Sequence, residues 1–468
     1  MSGIVAAGVY VPQFRLSSDE LDDAWGASHA SGVDQKAVPA ADEDTLTMAV
    51  EAAERALEDA AVERSAIDVV SAATTTPPLE EGDFVARLVR ALGLPADVAS
   101  ATATQHTAAG AEALSRGLDA DGTALVVTAD CPEGEPADAD HPFGAGAAAF
   151  LLGDDPAVAV EDIGWYSNET PGVRFRERGD RHVDALGITT YERDAVREAV
   201  TEAVSSLEID PGAATAASIH QRDGSFPYRM AGDLPISNEA VAAGTVVDRI
   251  GDAGAATVPI GLLSALSGSD DDLSIAAFFG GGTAAAVACR GTLSVPGLGG
   301  IDAVEPISYA AYLRERGYVV DGEVSGGGAN VSLPNWQGSL AQRYRLVAGS
   351  CPDCGGATFP PEGACQECHA RVDFEEFEAP RTGTLQAVTV IGQGGAPPEF
   401  AELQQRDGAY AAAIVALESD EGTISLPAQV TDVDPESVSV GDTVEATIRR
   451  IYTQEGVPRY GVKFSPTE

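Results

Sequence analysis

Basic residues are scarce in this sequence: 28 Lys and Arg face 73 Asp and Glu, a formal charge of −45 at neutral pH. With no long basic patch to neutralise phosphates, the composition argues against a nucleic-acid ligand. Long apolar runs are missing as well. Hydrophobic residues make up 44% of the chain, yet no uninterrupted stretch approaches the length of a membrane-spanning helix. Trp and Met number only three each, so much of the hydrophobic share is small, alanine above all. Nothing at the N-terminus reads as a secretory signal, and the expected compartment is the cytoplasm, where thiols stay reduced. The acidic excess is spread along the whole chain rather than gathered in a tail. That distribution reads as adaptation to a high-salt cytosol, where screening relieves self-repulsion.

Cysteine is rare too, which makes its placement informative. Four of the six cysteines form a CPDC–CQEC array, Cys351 and Cys354 followed by Cys365 and Cys368, with ten residues between the pairs. Two such knuckles present four thiolates to one tetrahedral ion, and the absence of an open position points to a structural Zn²⁺. Iron is not excluded by ligand number alone. A pair of disulfides is the alternative, and a reducing compartment disfavours it.

A chain of 468 residues is long enough for several domains. In the front region short apolar runs alternate with helical patterns, which predicts an α/β layered sandwich. IVAAGVYVP over 4–12 reads as a strand, and residues 43–60 as a helix with Asp42 or Asp44 available as its cap. Strands follow at IDVVSAAT, TALVVTAD, AAAFLLGD and AVAVEDIGWY, with helices at FVARLVRALG and TAAGAEALSRGLDA. From about residue 165 the rhythm repeats. A helix at YERDAVREAVTEAVSSL leads to a strand ending at His220, then to ISNEAVAAGTVVDRIG as a helix, LLSALSGSDD in a following element, and LSIAAFFGGGTAAAVACR as a hairpin about a glycine turn. The repetition predicts an internal duplication. Beyond it, ISYAAYLRERG carries a helical segment and GEVSGGGANVSLPNW is rich in turn residues. After the cysteine array come five strand-like runs, the count of a small closed barrel, whose closure removes exposed edges.

The tail, from about residue 341, resembles small proteins built from a rubredoxin-like zinc ribbon and an OB-fold, the DUF35 family, through CPDCGGATFPPEGACQEC, RTGTLQAVTV, AYAAAIVALE and VPRYGVKF. In that family the barrel is associated with acyl-CoA chemistry and docks onto a thiolase-fold enzyme. An OB barrel can also take single-stranded nucleic acid, but this one is acidic and lacks interleaved basic and aromatic residues. The front, about residues 1–345, is similar to 3-hydroxy-3-methylglutaryl-CoA synthase of the archaeal type, through GIVAAGVYVPQFRLS, KAVPAADEDTLTMAVEAAERAL, IHQRDGSFP and FFGGGTAAAV. The resemblance implies a duplicated thiolase-like αβαβα layered fold followed by a zinc ribbon and an all-β OB barrel. It divides the chain into 1–164 and 165–340 as the two thiolase-like halves, 341–375 as the ribbon and 376–468 as the barrel. It also implies a homodimer, with a separate thiolase-family subunit as a further candidate partner, and a coenzyme A thioester as ligand or substrate.

The resemblance assigns site residues one by one, and three depart from the pattern. The nucleophilic cysteine of the family precedes a small-residue glycine motif, seen here as HTAAGAEAL, and its position is Thr107. A hydroxyl is a far poorer nucleophile than a thiolate at neutral pH. The acid/base glutamate is expected after the IDVV-type strand, where Thr75 stands, with Glu80 and Glu81 a few residues on. The substrate-orienting asparagine follows the glycine of an IG motif, and Leu262 occupies its place. His220 matches the histidine that hydrogen-bonds the thioester or ketone oxygen and stabilises charge there; a satisfied core histidine is the alternative. His106 lies beside Thr107, although adjacent helical residues do not face each other. Gly280, Gly281 and Gly282 allow close backbone approach to the acyl-CoA. Cys131 and Cys289 are expected to serve packing. Three functions are compatible with these residues: an acyl-CoA-binding scaffold or channelling subunit, a condensing or retro-aldol enzyme without a covalent intermediate, and an orthodox synthase.

Overall fold

A computed structural model describes residues 3–268, 272–303, 305–319, 332–392 and 400–467, arranged as two compact units. The first comprises residues 1–39, 44–89 and 94–312. Its strands are β1 (Gly3–Tyr10), β2 (Phe14–Ser17), β3 (Gln35–Val38), β4 (Val69–Ala73), β5 (Ala99–Ala103), β6 (Ala124–Asp130), β7 (Gly146–Gly153), β8 (Val158–Ser167), β9 (Ala216–Ile219), β10 (Leu273–Gly280), β11 (Thr283–Gly291) and β12 (Glu305–Pro306). A nine-stranded sheet runs β5-β4-β6-β7-β1-β8-β11-β10-β9.

The duplication expected from the sequence is visible in this order. From the centre outward, β1, β7, β6 and β4 correspond to β8, β11, β10 and β9. In each set two antiparallel pairings are followed by a parallel one. The helices repeat as well: Thr45–Ala60 and Thr189–Ser205 follow the central strands, and Ala109–Leu118 and Thr257–Ser267 precede the hairpins. Within the sheet the two sets join through β1 and β8, at the Gly3–Ala159 and Ile4–Val158 pairs. Helices cover the sheet, so β6, β7 and β10 are buried along their whole length, which explains why they read as continuous apolar runs. Small residues let helix and strand close up; a Cβ on Gly8 would collide with the Ala52 carbonyl.

Local chemistry sets the element ends. Asp44 caps Thr45–Ala60 by accepting from Leu46 N at 2.9 Å and Thr47 N at 3.2 Å, and Thr47 returns a bond to Asp44 N. Asp42 plays no part in that cap. ISNEAVAAGTVVDRIG forms two short helices, Asn238–Ala242 and Val247–Ile250, rather than one. The break falls where Gly244 presses against the Ala217 backbone and its carbonyl accepts from the buried amide of Gln221 at 2.6 Å. The small sheet β12-β2-β3 and the helix Ser18–Trp25 were not anticipated, because four-residue strands carry too short an alternation to read. The turn-rich stretch 322–336 lies largely outside the described residues; its end starts the helix Leu333–Gly338.

The second unit comprises residues 40–43, 90–93 and 313–468. Its strands are β13 (Val347–Ser350), β14 (Ala357–Thr358), β15 (Glu375–Glu378), β16 (Thr382–Ile391), β17 (Tyr410–Ser419), β18 (Gly422–Val430), β19 (Thr443–Gln454) and β20 (Val457–Pro466). The first three form a small sheet, and the last five close into a barrel in the order β16-β17-β18-β20-β19. This is the five-stranded closure the strand count predicts.

The chain has only two lysines, and both are buried, each on a carboxylate. In the first unit Lys36 Nζ donates to Asp140 Oδ2 at 2.7 Å and lies over the Tyr312 ring. In the second, Lys463 Nζ donates to Asp42 Oδ2 at 2.7 Å. Arg449 lies 2.8 Å from Asp432 and 3.4 Å from Glu43. Burial works against the charge on Asp42, but Lys463 and Arg449 outweigh it and hold its pKa below the usual carboxylate value.

Candidate functional site

The C-terminal end of β10 assembles the first unit's polar residues. His220 directly follows β9, and its N–H donates to Ala277 O at 2.8 Å. The ring packs against Phe226 and Phe279 at centroid distances of 5.9 and 5.5 Å. Burial pushes its pKa down to about 4; nearby Asp252 opposes the shift, while Arg174 and Arg222 reinforce it. At neutral pH this is an uncharged imidazole.

Thr107 lies in the turn before Ala109–Leu118 and is buried. Its hydroxyl donates to Phe279 O at 2.5 Å. Phe279 thus gives its ring to His220 and its carbonyl to Thr107, bringing both positions to one strand end. The next residue has to be glycine: a Cβ on Gly280 would lie 2.6 Å from Ala108 N and 2.7 Å from Thr107 N. Gly281 and Gly282 then turn the hairpin with φ of 63° and 112°.

Thr75 reaches the same neighbourhood through a hub that sequence reasoning missed. Asp130 is fully buried at the end of β6. Its carboxylate accepts from the hydroxyls of Thr74, Thr75 and Thr76 and from the backbone N–H of Thr75 and Thr76, at 2.6–2.9 Å. It also accepts from Ala255 N at 2.7 Å. β4 and β6 run parallel with Ala73 opposite Thr128, so the residues just past both strands must meet. A run of three hydroxyls beside a strand-ending aspartate was the available signal. Thr75 therefore positions a loop, and Arg176 donates to its carbonyl. Arg174 and Asp252 were also missed. Arg174 Nη1 donates to Asp252 Oδ2 at 2.6 Å, while Asp252 Oδ1 accepts from Gly254 N at 2.9 Å and Thr257 Oγ1 at 3.0 Å.

The other candidates separate from this cluster. Leu262 is wholly buried in the apolar core of Thr257–Ser267 and offers no polar atom. His106 Nε2 pairs with Glu112 at 3.1 Å. Glu80 and Glu81 are exposed, and Glu80 faces Arg178. Cys289 is fully buried, and burial pushes its thiol up to about 12, which fits packing. Cys131 lies 3.3 Å from Thr45 Oγ1 and 3.9 Å from Thr76 Oγ1.

In the second unit the four ribbon thiols converge. Cys351 and Cys368 Sγ are 3.7 Å apart, Cys354 and Cys365 Sγ 3.6 Å, and all four lie within 4.8 Å of one another. A tetrahedron with Zn–S bonds of about 2.3 Å requires sulfurs about 3.8 Å apart, so the four thiols fit the ion. Each knuckle closes in the left-handed region, at Gly355 with φ 75° and at His369 with φ 60°. Glu367 N points at Cys365 Sγ over 3.4 Å.

Comparison with known proteins matches both units. Residues 339–375 match the domain family described as ChsH2, rubredoxin-like zinc ribbon domain, and residues 376–449 the one described as ChsH2, C-terminal OB-fold domain. Hydroxymethylglutaryl-CoA synthase of Methanopyrus kandleri is 30% identical over 282 residues, 56% of this chain and 79% of that protein. The Pyrobaculum aerophilum enzyme of the same name is 32% identical over 279 residues, again 56% and 79%. Among solved structures, the HMG synthase of the curacin biosynthetic pathway superposes with a TM-score of 0.58 at 18% identity, covering 66% of this chain and 87% of its own. PksG, an HMG-CoA synthase from Bacillus subtilis, gives 0.59 at 17% identity over 67% and 87%. These last two likenesses concern the fold alone. Among the described residues no helix is long and apolar enough to cross a membrane.

Proposed function

The chain belongs to the hydroxymethylglutaryl-CoA synthase family, a thiolase-fold unit joined to a zinc ribbon and an OB-fold; from that premise we propose that it makes or breaks a carbon–carbon bond in coenzyme A thioesters without forming an acyl-enzyme. The observation that carries this reading is Phe279, whose ring packs on a neutral buried imidazole and whose carbonyl accepts from the hydroxyl at the position matched to the family's nucleophile. An enolate-forming reaction needs a group that exchanges a proton and donors that hold the developing oxyanion. His220 fills the first role as a neutral acceptor. Thr107, its proton committed to a carbonyl, orients rather than attacks. Gly280 and its neighbours bring backbone to the thioester oxygen, and the thiolates of Cys351, Cys354, Cys365 and Cys368 hold structural zinc.

The remaining assignments follow the same reading. Residues 1–164 and 165–340 act as the two halves, 341–375 as the ribbon and 376–468 as the barrel. A homodimer forms along β5, an edge strand of small residues in which Ala99, Ser100 and Thr102 are exposed. A separate thiolase-family subunit supplies or receives the acyl group. The acidic surface suits a salt-rich cytosol, and nucleic acid is not a partner.

The test is turnover in high-salt buffer. Acetyl-CoA with acetoacetyl-CoA, and separately HMG-CoA alone, should yield new thioester products, and His220→Ala should abolish them. Binding without turnover in the wild type would return the chain to a scaffold or channelling role. Identity of 30–32% to archaeal synthases favours a second reading, orthodox HMG-CoA synthase; an acetylated chain after incubation with acetyl-CoA would establish it.

A further inference from the structure

Closure of the barrel leaves one strand edge open. β16 pairs with β19 only at Thr382, Gly383 and Thr384. Leu385 is held by the loop before β19: its N–H donates to Asp442 O and its carbonyl accepts from Gly441 N. Beyond it β17 lies on one side, and on the other no described residue bonds the backbone from Ala387 to Val390. Gln404 closes the far end by donating to Ile391 O and Gly392 O at 3.3 and 2.8 Å. Gln386, Ala387, Thr389 and Val390 are exposed. Proteins usually guard such an edge with charge or proline. The barrel's other narrow seam follows that rule, for β18 meets β20 only at Val430 and Phe464 and has Pro427 in its exposed stretch. β16 contains neither a charged residue nor a proline. The charge-free strand β10 of the first unit is wholly buried, whereas this one faces solvent. With a chain charge of −45 two copies repel each other, so they meet most easily where charge is missing.

We propose that the open edge of β16 joins a second copy of this chain by antiparallel pairing about Thr389. The edge is self-complementary in that arrangement. Side chains alternate along a strand, which sets Val388 and Val390 on one face and Thr389 on the other. Val388 packs against the barrel core, and Val390, 41% exposed, carries that apolar face outward. Turned about Thr389, each Val388 stands opposite Val390 of the second copy, and Thr389 stands opposite its own counterpart. β-branched pairs and a Thr–Thr pair are favoured across strands. A slip of one residue would set Val against Thr and lose both matches. The contact is isologous, separate from the pairing along β5, and independent of the thioester reading.

The contact is short, so the test is disulfide trapping of the full chain at high salt. Directly opposed residues of an antiparallel pair have Cα atoms about 4.5 or 5.5 Å apart, within disulfide reach. The wild type, whose exposed thiols Cys354 and Cys368 lie in the ribbon, sets the background. Under mild oxidation Thr389→Cys should form a covalent dimer about tenfold faster or more than Thr384→Cys, because paired thiols meet at a high effective concentration. Thr384 is the control: it is exposed on the same strand, but on the stretch that β19 already pairs. A mixture of Val388→Cys and Val390→Cys should cross-link faster than either variant alone, which checks the register and stands even where Thr389→Cys fails to fold. Equal rates for Thr389→Cys and Thr384→Cys would overturn the proposal. Val388→Cys cross-linking alone in preference to the mixture would overturn the register about Thr389 and the proposal with it. No dimer with folded Thr389→Cys would equally overturn it and leave the edge to a strand from a different protein.

Discussion

The ribbon and the thiolase-like site differ in how their side chains meet the pattern that the sequence resemblance implies. In the ribbon all four ligand positions are intact, with knuckle turns and sulfur spacings suited to one ion. At the end of β10 the scaffold persists, with Gly280 against Thr107 and Phe279 beneath His220. Yet three positions assigned by resemblance carry Thr107, Thr75 and Leu262. The difference is physical. Losing one thiolate from a tetrahedral site leaves a metal-stapled fold short of its staple. At the end of β10 each of these side chains makes contacts of its own, so the fold does not depend on a catalytic group there: Thr107 and Thr75 are hydrogen-bonded and Leu262 is packed.

The sharpest way to break the comparison is metal removal. Structural zinc in small ribbons supplies on the order of 10 kcal/mol of binding free energy that doubles as folding free energy. Cys365→Ser or a strong chelator should therefore expose the amides of β13–β15 to hydrogen exchange while β6, β7 and β10 keep theirs. Metal analysis should find one zinc per chain; iron, or intact protection without metal, would undo the ribbon side of the contrast.

Next in size are the two buried lysines. Removing one partner of a buried pair leaves an uncompensated charge, at a cost of about 3–5 kcal/mol. Lys36→Met should reach that range in denaturation experiments, because it takes away the cation on Asp140 Oδ2. Lys463→Met should cost less, since Asp42 keeps Arg449 at 3.9 Å and Thr431 at 3.1 Å. The reverse order would show that Arg449 does not compensate for Lys463.

These two networks also show where sequence reading ran out. Periodicity and turn residues expose what repeats locally: the alternating layers, the five barrel strands and the cysteine spacing. The duplication was legible as rhythm, and the strand order gives it its form. Asp130 was not legible, because its six donors come from Thr74, Thr75, Thr76 and Ala255, up to 125 residues away. Arg174 sits in an irregular stretch with no periodicity, and only the fold brings it to Asp252. Asp42 and Asp44 both read as candidate helix caps because the local pattern offers either that role; Asp44 takes the cap, and Lys463 takes Asp42. His220 was named through the resemblance, and the strand end it was read on is where it stands, just past β9.

A pH series sets His220 of the first unit against Glu315 and Asp407 of the second by the sign of the slope each contributes. In the first, burial holds His220 near 4, below its usual 6.5. The unfolded chain therefore takes up its proton first, and stability falls as pH drops from 6.5 towards 4, by about 1.4 kcal/mol per unit at most. In the second, burial raises Glu315 to about 8, with Asp407 adding to the rise, and Asp407 itself to about 6. Here the folded chain holds protons that the unfolded chain releases. Stability is full below the ordinary carboxylate range and falls as pH rises, through about 8 for Glu315. Glu315→Gln should remove much of the alkaline-side loss, and His220→Gln the acid-side one. Melting curves between pH 4 and 8 check both, and a variant with an unchanged slope would show that its group is not the source.

The smallest change addresses the contrast most directly. Thr107→Cys exchanges one oxygen for sulfur at the start of Ala109–Leu118, where helix N–H groups favour a thiolate. It gives up the strong donor to Phe279 O, at a cost of about 1 kcal/mol in stability, so the variant should fold. Incubated with acetyl-CoA, it should gain the mass of one acetyl group, slowly, because Thr75 and Leu262 still stand where an acid/base and an orienting amide would help. The wild type should gain none. An adduct on the wild type would make Thr107 a working nucleophile and erase the distinction between the two units. A variant that binds acetyl-CoA and stays unmodified would place the thioester carbonyl away from Phe279, and the neighbourhood of His220 would lose its claim to be the reacting site.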